Sequence, residues 1–141
     1  MLAPTPADFA GSPRKANNLS CVLRVSTRKG AMLLTGDIER AAENALLAQG
    51  DRLRADVLLV PHHGSRTSSD PRFVAAVAPA WAIVASGYRN RFAHPNAEII
   101  HRYEAAGANI LRTDLDGAIQ ISLGQGISVS SERSARPRYW R

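Results

Sequence analysis

Residues 55–69 read ADVLLVPHHGSRTSS, and the fold turns on how this stretch is understood. Asp56-Val57-Leu58-Leu59-Val60 is a short apolar run rich in β-branched residues and closed by Pro61, the pattern of a buried strand that stops abruptly. His62 and His63 therefore sit just past a strand end. Gly64 permits close backbone approach, and Ser65, Thr67, Ser68 and Ser69 supply short hydroxyl side chains before the next helix. The carboxyl end of a buried strand, in a Gly/Ser-rich loop, is where α/β proteins keep ligands and metals. An isolated His-His pair is more often one capping residue and one solvent-exposed neighbour, so the reading depends on the rest of the chain.

Outward from this stretch, strands and helices alternate. Cys21 to Ser26 alternates as a strand, Arg28-Lys29-Gly30 is a tight turn, and Ala31 to Leu34 answers as the second strand of a hairpin ending at Thr35-Gly36-Asp37. Apolar residues at 38, 41, 42, 45 and 46 have helical spacing, and Gly50 stands where that helix stops. Asp70 is a natural N-cap with Pro71 at the first helical position, opening a helix to about Ala78. Trp81 to Ala85 is a short strand, Ser86 to Ala93 a polar loop, and His94-Pro95 opens a helix over Asn96 to Ala106. Strands follow at Asn109–Arg112 and Ala118–Leu123, with a last one near Ile127–Ser130. This order predicts an α/β fold with a mixed sheet, an antiparallel piece at each end and helices packed against it.

The composition sets outer limits. With 141 residues, 45% of them apolar and 21% charged, the chain has the make-up of one soluble globular domain. Sixteen of its eighteen cations are arginine, which suits bidentate phosphate contacts, within a net charge of +6. Residues 1–16, with Pro4, Pro6, Gly11 and Pro13, read as an irregular N-terminal segment. Residues 17–131 form the domain, and residues 132–141 read as a basic disordered tail whose Arg133, Arg136, Arg138, Tyr139, Trp140 and Arg141 suit a frayed terminus or a nucleic-acid contact. Cys21 stands alone in an apolar run, so it reads as a small buried hydrophobe and no cysteine-linked partner is expected. Met1 to Ala10 lacks the pattern of a signal peptide, and no stretch approaches the ~20 apolar residues of a spanning helix.

Three strand-end loops carry side chains of the kind that bind metal: Gly36-Asp37, His62-His63 and His94-Pro95. A carboxylate and neutral imidazoles are the donors that zinc or manganese takes in hydrolytic sites, and two such ions activate a water and clamp the charge on a phosphodiester. Each residue has a plainer reading. Asp37 suits an N-cap, Glu39 and Glu43 complement a helix dipole, and His94 suits a loop hydrogen bond. The coincidence of several such residues at successive strand ends favours a site.

The same segments carry a family resemblance. NNLS (17–20), LLTGDIE (33–39), DVLLVPHHGSRTSS (56–69), NRFAHP (90–95) and RTDLDG (112–117) resemble the C-terminal metallo-β-lactamase-like domain of the ComEC family of competence proteins. The resemblance implies the C-terminal half of an αββα sandwich. It also implies a phosphodiesterase or nuclease role in DNA uptake, on single-stranded DNA, at the extracytoplasmic face of the bacterial inner membrane, beside a membrane channel domain of the same polypeptide. By the same resemblance Asp37 and His63 are metal ligands for two divalent ions, zinc or manganese. His62 contacts the phosphate or leaving group, and His94 is a substrate or proton-transfer residue, or the final metal ligand as in other branches. Ser65, Arg89 and Asn90 are expected to bind substrate. The superfamily's first ligand cluster, a His-x-His/Asp-x-Asp-His run, is absent from the sequence, so this chain alone is expected to bind metal weakly or not at all. A non-catalytic DNA-guiding module and a small-phosphoester hydrolase of the phosphorylcholine esterase type are the alternatives.

Overall fold

The computed structural model describes residues 1–10 and 15–136. Its strands are β1 (Leu23–Thr27), β2 (Gly30–Leu34), β3 (Val57–Leu59), β4 (Trp81–Val84), β5 (Asn109–Arg112), β6 (Ile119–Ser122) and β7 (Ser128–Ser131). The helices are α1 (Pro6–Phe9), α2 (Arg40–Leu46), α3 (Pro71–Val77), α4 (Ala97–Ala105), α5 (Thr113–Asp116) and α6 (Glu132–Ala135). The first five strands form one sheet in sequential order. β1 and β2 are an antiparallel hairpin, whereas β2, β3, β4 and β5 run parallel. The fold is therefore α/β with a mixed sheet and packed helices. It differs from expectation at the far end, where among the described residues β6 and β7 pair only with each other, as a separate hairpin.

Parallel neighbours require a crossover, and α2, α3 and α4 supply them. The apolar faces of these helices meet one face of the sheet. Leu33, Leu58 and Ala82 are register partners across β2, β3 and β4, and they share a single buried cluster with Ala42, Leu46, Phe73, Val74, Val77, Ile99 and Tyr103. Asp70 caps α3 by accepting from Arg72 N at 2.9 Å, as expected, and Asn96 rather than His94 or Pro95 caps α4.

The opposite face of the sheet carries Leu23, Val25, Met32, Leu34, Val57, Leu59, Trp81, Ile83 and Leu111, as the register requires. At β1 this face is open, with Leu23 41% and Val25 42% exposed. The β6–β7 hairpin is tied to the sheet at the β1–β2 turn, where Thr27 Oγ1 donates to the Leu123 carbonyl at 2.9 Å. Gly30 lets Ile127 approach there, for a Cβ on it would lie 2.5 Å from Ile127 Cδ1.

The ends of the domain are more built-up than the sequence implies. Leu2 is buried, Ala3 forms an antiparallel bridge with Val22, and Pro6–Phe9 make one helical turn, so residues before Asn17 contribute to the fold. Cys21 is exposed, not buried. β1 begins only at Leu23, and Val22 takes the inward position beside it. Of the expected tail, Glu132–Ala135 form the turn α6, and Arg133 donates to the Leu115 carbonyl. Arg138, Tyr139, Trp140 and Arg141 lie outside the described residues.

Candidate functional site

Because β2, β3 and β4 lie side by side and run the same way, the loops leaving their carboxyl ends meet at one rim. The first carries Thr35-Gly36-Asp37. Thr35 is buried and its hydroxyl donates to the Leu59 carbonyl at 2.7 Å, which pins this loop to the end of β3. Gly36 adopts a left-handed φ of +56°, and a Cβ there would stand 2.9 Å from Ser20 Cβ. Ser20 Oγ accepts from Asp37 N at 3.2 Å, and Asn18 Oδ1 accepts from Glu39 N at 2.9 Å. The NNLS segment thus braces the aspartate loop. Asp37 is not a helix cap, since the N-cap position of α2 falls to Glu39.

The second loop carries His62 and His63, both with left-handed backbone, φ +49° and +55°. Non-glycine residues seldom adopt that conformation, although histidine does so more often than most, and two in succession are the kind of backbone strain that collects at functional sites. Several bonds impose it here. His62 N donates to the Gly36 carbonyl at 3.0 Å, and Ser68 Oγ lies 3.0 Å from each of the Pro61 and Ser65 carbonyls. Deeper in, Glu43 is fully buried and its carboxylate accepts from Ser69 N at 2.6 Å and Asp70 N at 2.8 Å. Burial pushes the Glu43 carboxyl above the ordinary carboxylate range while these amides pull against it. Glu43 is a loop brace, not the dipole complement its position near a helix start suggests. Tyr103, from α4, completes the support by bonding Ser69 Oγ at 3.0 Å.

The third loop, residues 85–95, carries His94 and is closed on itself by Asn90. The Asn90 amide donates to the His94 carbonyl at 2.6 Å and the Gly87 carbonyl at 3.1 Å, and its oxygen accepts from His94 N at 3.0 Å. The second and third loops touch at Gly64, whose carbonyl accepts from Asn96 N at 2.9 Å. RTDLDG braces the third loop from β5. Thr113 Oγ1 accepts from Ser86 N and donates to the Ser86 carbonyl, both at 2.8 Å. Asp114 accepts from Ser86 Oγ at 2.8 Å and pairs with Arg112, whose guanidinium holds that carboxyl below its usual range.

These supports bring four predicted site residues together. His63 Nε2 lies 3.4 Å from Asp37 Oδ1, with both side chains about half exposed. The His62 ring is 6.4 Å from that of His63 and 6.0 Å from that of His94. His94 is held below the ordinary imidazole value of 6.5 by partial burial and by its two histidine neighbours. His63 Nδ1 lies 2.6 Å from the Ala85 carbonyl, an oxygen that can only accept, so Nδ1 carries the proton. Nε2 then faces Asp37 as an acceptor facing an acceptor. That arrangement is favourable only with a cation between them, a proton or a metal ion, and backbone fixing of the remote nitrogen is the usual way a metal-binding imidazole is oriented. The residues present fit a divalent ion to this extent, as two of its ligands. Among the described residues no group of three or more His, Cys, Asp or Glu is placed to hold one.

Two expected substrate residues also bond within their own loops. Ser65 is buried, its hydroxyl 3.1 Å from Thr67 Oγ1 and accepting from Thr67 N at 3.3 Å, so it belongs to the loop's own scaffold. Asn90 spends its amide on the third loop. Arg89 is exposed, with its guanidinium 5.2 Å from the centre of the Tyr88 ring. His101 lies on the exposed side of α4, 3.7 Å from Glu104 and apart from the rim. Asn17, Asn18, Ser20 and Glu43 are braces whose partners lie 17 to 27 residues away, beyond the reach of local pattern.

Fold and rim together define an α/β domain with a strand-end cluster of imidazole and carboxylate side chains. The chain is homologous to one segment of proteins that carry the names of competence and recombination proteins. It is 41% identical over 126 residues to competence protein ComA of Neisseria gonorrhoeae, covering 89% of this chain and 18% of that protein. It is 36% identical over 111 residues to ComE operon protein 3 of Bacillus subtilis (79% and 14%), and 36% identical over 115 residues to Recombination protein 2 of Haemophilus influenzae (79% and 14%). The chain thus spans less than a fifth of the length of these relatives. No protein-family model matches the sequence. Among the described residues no helix is long and apolar enough to cross a membrane.

Proposed function

We propose that this chain is the metallo-β-lactamase-like part of a ComEC-type DNA uptake protein and hydrolyses phosphodiester bonds in single-stranded DNA. The observation that carries the proposal is the meeting of Asp37, His62, His63 and His94 at one rim, with His63 Nε2 turned to Asp37 by the Ala85 carbonyl. The homologues' names support the setting, competence, and the open apolar face at Leu23 and Val25 supports an αββα sandwich whose second sheet comes from residues outside this chain. In that setting the domain stands on the extracytoplasmic side of the inner membrane, next to a channel.

Asp37 and His63 are the residues that would hold divalent ions, zinc or manganese, with further ligands contributed from elsewhere. Bound there, two such ions supply an activated water and neutralise charge on the scissile phosphate. The chain's own residues do the rest. His62, beside Thr67 Oγ1 at 3.2 Å, faces the rim where it can donate to a phosphate oxygen or the leaving group. Partial burial and the neighbouring imidazoles lower the His94 pKa, which favours its neutral, proton-accepting form. Arg89 and Arg91 add positive charge beside the site.

A nuclease assay on single-stranded DNA with manganese tests this. Slow cleavage that Asp37→Asn and His63→Gln abolish is the expected result, and cleavage that survives both contradicts the proposal. Binding of DNA without any cleavage favours the second reading, a DNA-guiding module, which rests on the shortage of metal donors among the described residues.

A further inference from the structure

The loop between β4 and α4 carries two aromatic rings that hydrolysis at the rim does not use. Among the described residues, two of the few large apolar side chains left exposed, Tyr88 at 69% and Phe92 at 63%, stand on this one loop. Each carries an arginine on its ring: the Arg89 guanidinium lies 5.2 Å from the Tyr88 centroid and that of Arg91 lies 4.8 Å from the Phe92 centroid. Phe92 also stacks beside His94, at 5.9 Å with planes 21° apart. Phe92 and His94 line a cavity of about 200 Å³ with His63 and Asn90, so the aromatic face continues into the rim. Asn90's three hydrogen bonds hold the loop shut, and the rings are presented without a loop having to be ordered first.

We propose that Tyr88 and Phe92 are a base-stacking platform for single-stranded nucleic acid, with Phe92 seating the base next to the phosphodiester at the rim. This rests on the reading of the rim as a DNA site and adds how the strand is held. Aromatic faces interleaved with arginines are the chemistry of sequence-independent single-strand binding, because every base has a π-face and every linkage a phosphate. In the free protein the guanidinium groups cover the rings by cation–π contact. A phosphate draws them off and leaves the ring for the base. A duplex offers no such partner, since its base faces are already stacked inside the helix. The platform therefore selects single strands.

The test is fluorescence anisotropy on the full chain with a labelled thymidine oligonucleotide, an abasic oligonucleotide of equal length and a duplex. Phe92→Ala is expected to weaken binding of the thymidine strand about 10-fold, Phe92→Trp to restore it, and neither to alter binding of the abasic strand. Phe92 is exposed, so unchanged circular dichroism melts are expected to accompany the loss. A Phe92→Ala penalty that is absent, or equal on thymidine and abasic strands, overturns the platform alone. If the unaltered chain binds no oligonucleotide at all, the DNA reading itself falls and the platform with it.

Discussion

Replacing Gly64 by alanine probes the joint between the second and third loops. Gly64 has φ +79°, and a Cβ there would lie 2.6 Å from Pro95 Cβ and 3.2 Å from Pro95 Cα. Carbon atoms in contact prefer about 3.5–4.0 Å, so Pro95 must retreat by about 1 Å. The left-handed backbone costs an alanine about 1–2 kcal/mol, and forcing an extra methyl into a packed contact adds about 1–3 kcal/mol. Gly64→Ala should therefore destabilise the domain by about 2–5 kcal/mol. Gly107 is the internal control. Its φ is +81° with nothing within 4 Å of a built Cβ, so Gly107→Ala should show the backbone cost alone, about 1–2 kcal/mol. Urea unfolding of both variants, at equal m-value, measures the difference. Because Pro95 follows His94, Gly64→Ala should also shift the His94 ring resonances while Gly107→Ala leaves them in place. Equal destabilisation of the two variants, within about 0.5 kcal/mol, would refute the claim that Gly64 is required by close approach.

Other consequences concern the braces and the imidazoles. Glu43→Gln keeps one acceptor and turns an NH₂ toward a buried backbone N–H, so it should cost about 1–3 kcal/mol in urea unfolding; a neutral result would show that Ser69 and Asp70 are not held this way. In an NMR pH titration, His94 should protonate below 6.5, and His62→Gln should move its midpoint upward, because a neighbouring positive charge is removed. The sign for stability follows: below 6.5 the unfolded chain takes up a proton that folded His94 resists. Stability should therefore fall with pH from 6.5 down to the lowered folded value and be flat, for this group, above 6.5. Asn90→Ala should speed amide hydrogen exchange from Gly87 to His94 while leaving β3 protected, since its three bonds lie within that loop.

The course of the main chain was legible because each strand is a short apolar run and each crossover helix has its own period and cap. From Leu33, Leu58 and Ala82 one can predict buried neighbouring strands, and parallel strands bring the loops after them to one edge. Sequence thus gathers Asp37, His62, His63 and His94 at that edge. It does not show what holds them. Glu43 is polar, one residue past an apolar pair, and looks like a solvent-facing helix residue; only the fold brings Ser69 and Asp70 to it. Cys21 reads as buried because it adjoins Val22 and Leu23, yet β1 starts two residues later and Val22 takes the inward place. Ser65 and Asn90 have side chains suited to substrate and also bond within their own loops, and sequence does not distinguish the two uses. The β6–β7 hairpin reads as an extension of the sheet because alternation reveals a strand but not its partner.

The proposed site puts Asp37 and His63 together on a divalent cation, held weakly by these two ligands alone. Titrating manganese into the isotopically labelled chain and following paramagnetic broadening measures this directly, because the effect reports weak occupancy by position. Resonances of Asp37, His62, His63 and His94 should broaden first, nuclei on β5 and α6 should not, and Asp37→Asn should abolish the pattern. Early broadening elsewhere, or broadening at the rim that Asp37→Asn leaves unchanged, would contradict a cation shared by Asp37 and His63.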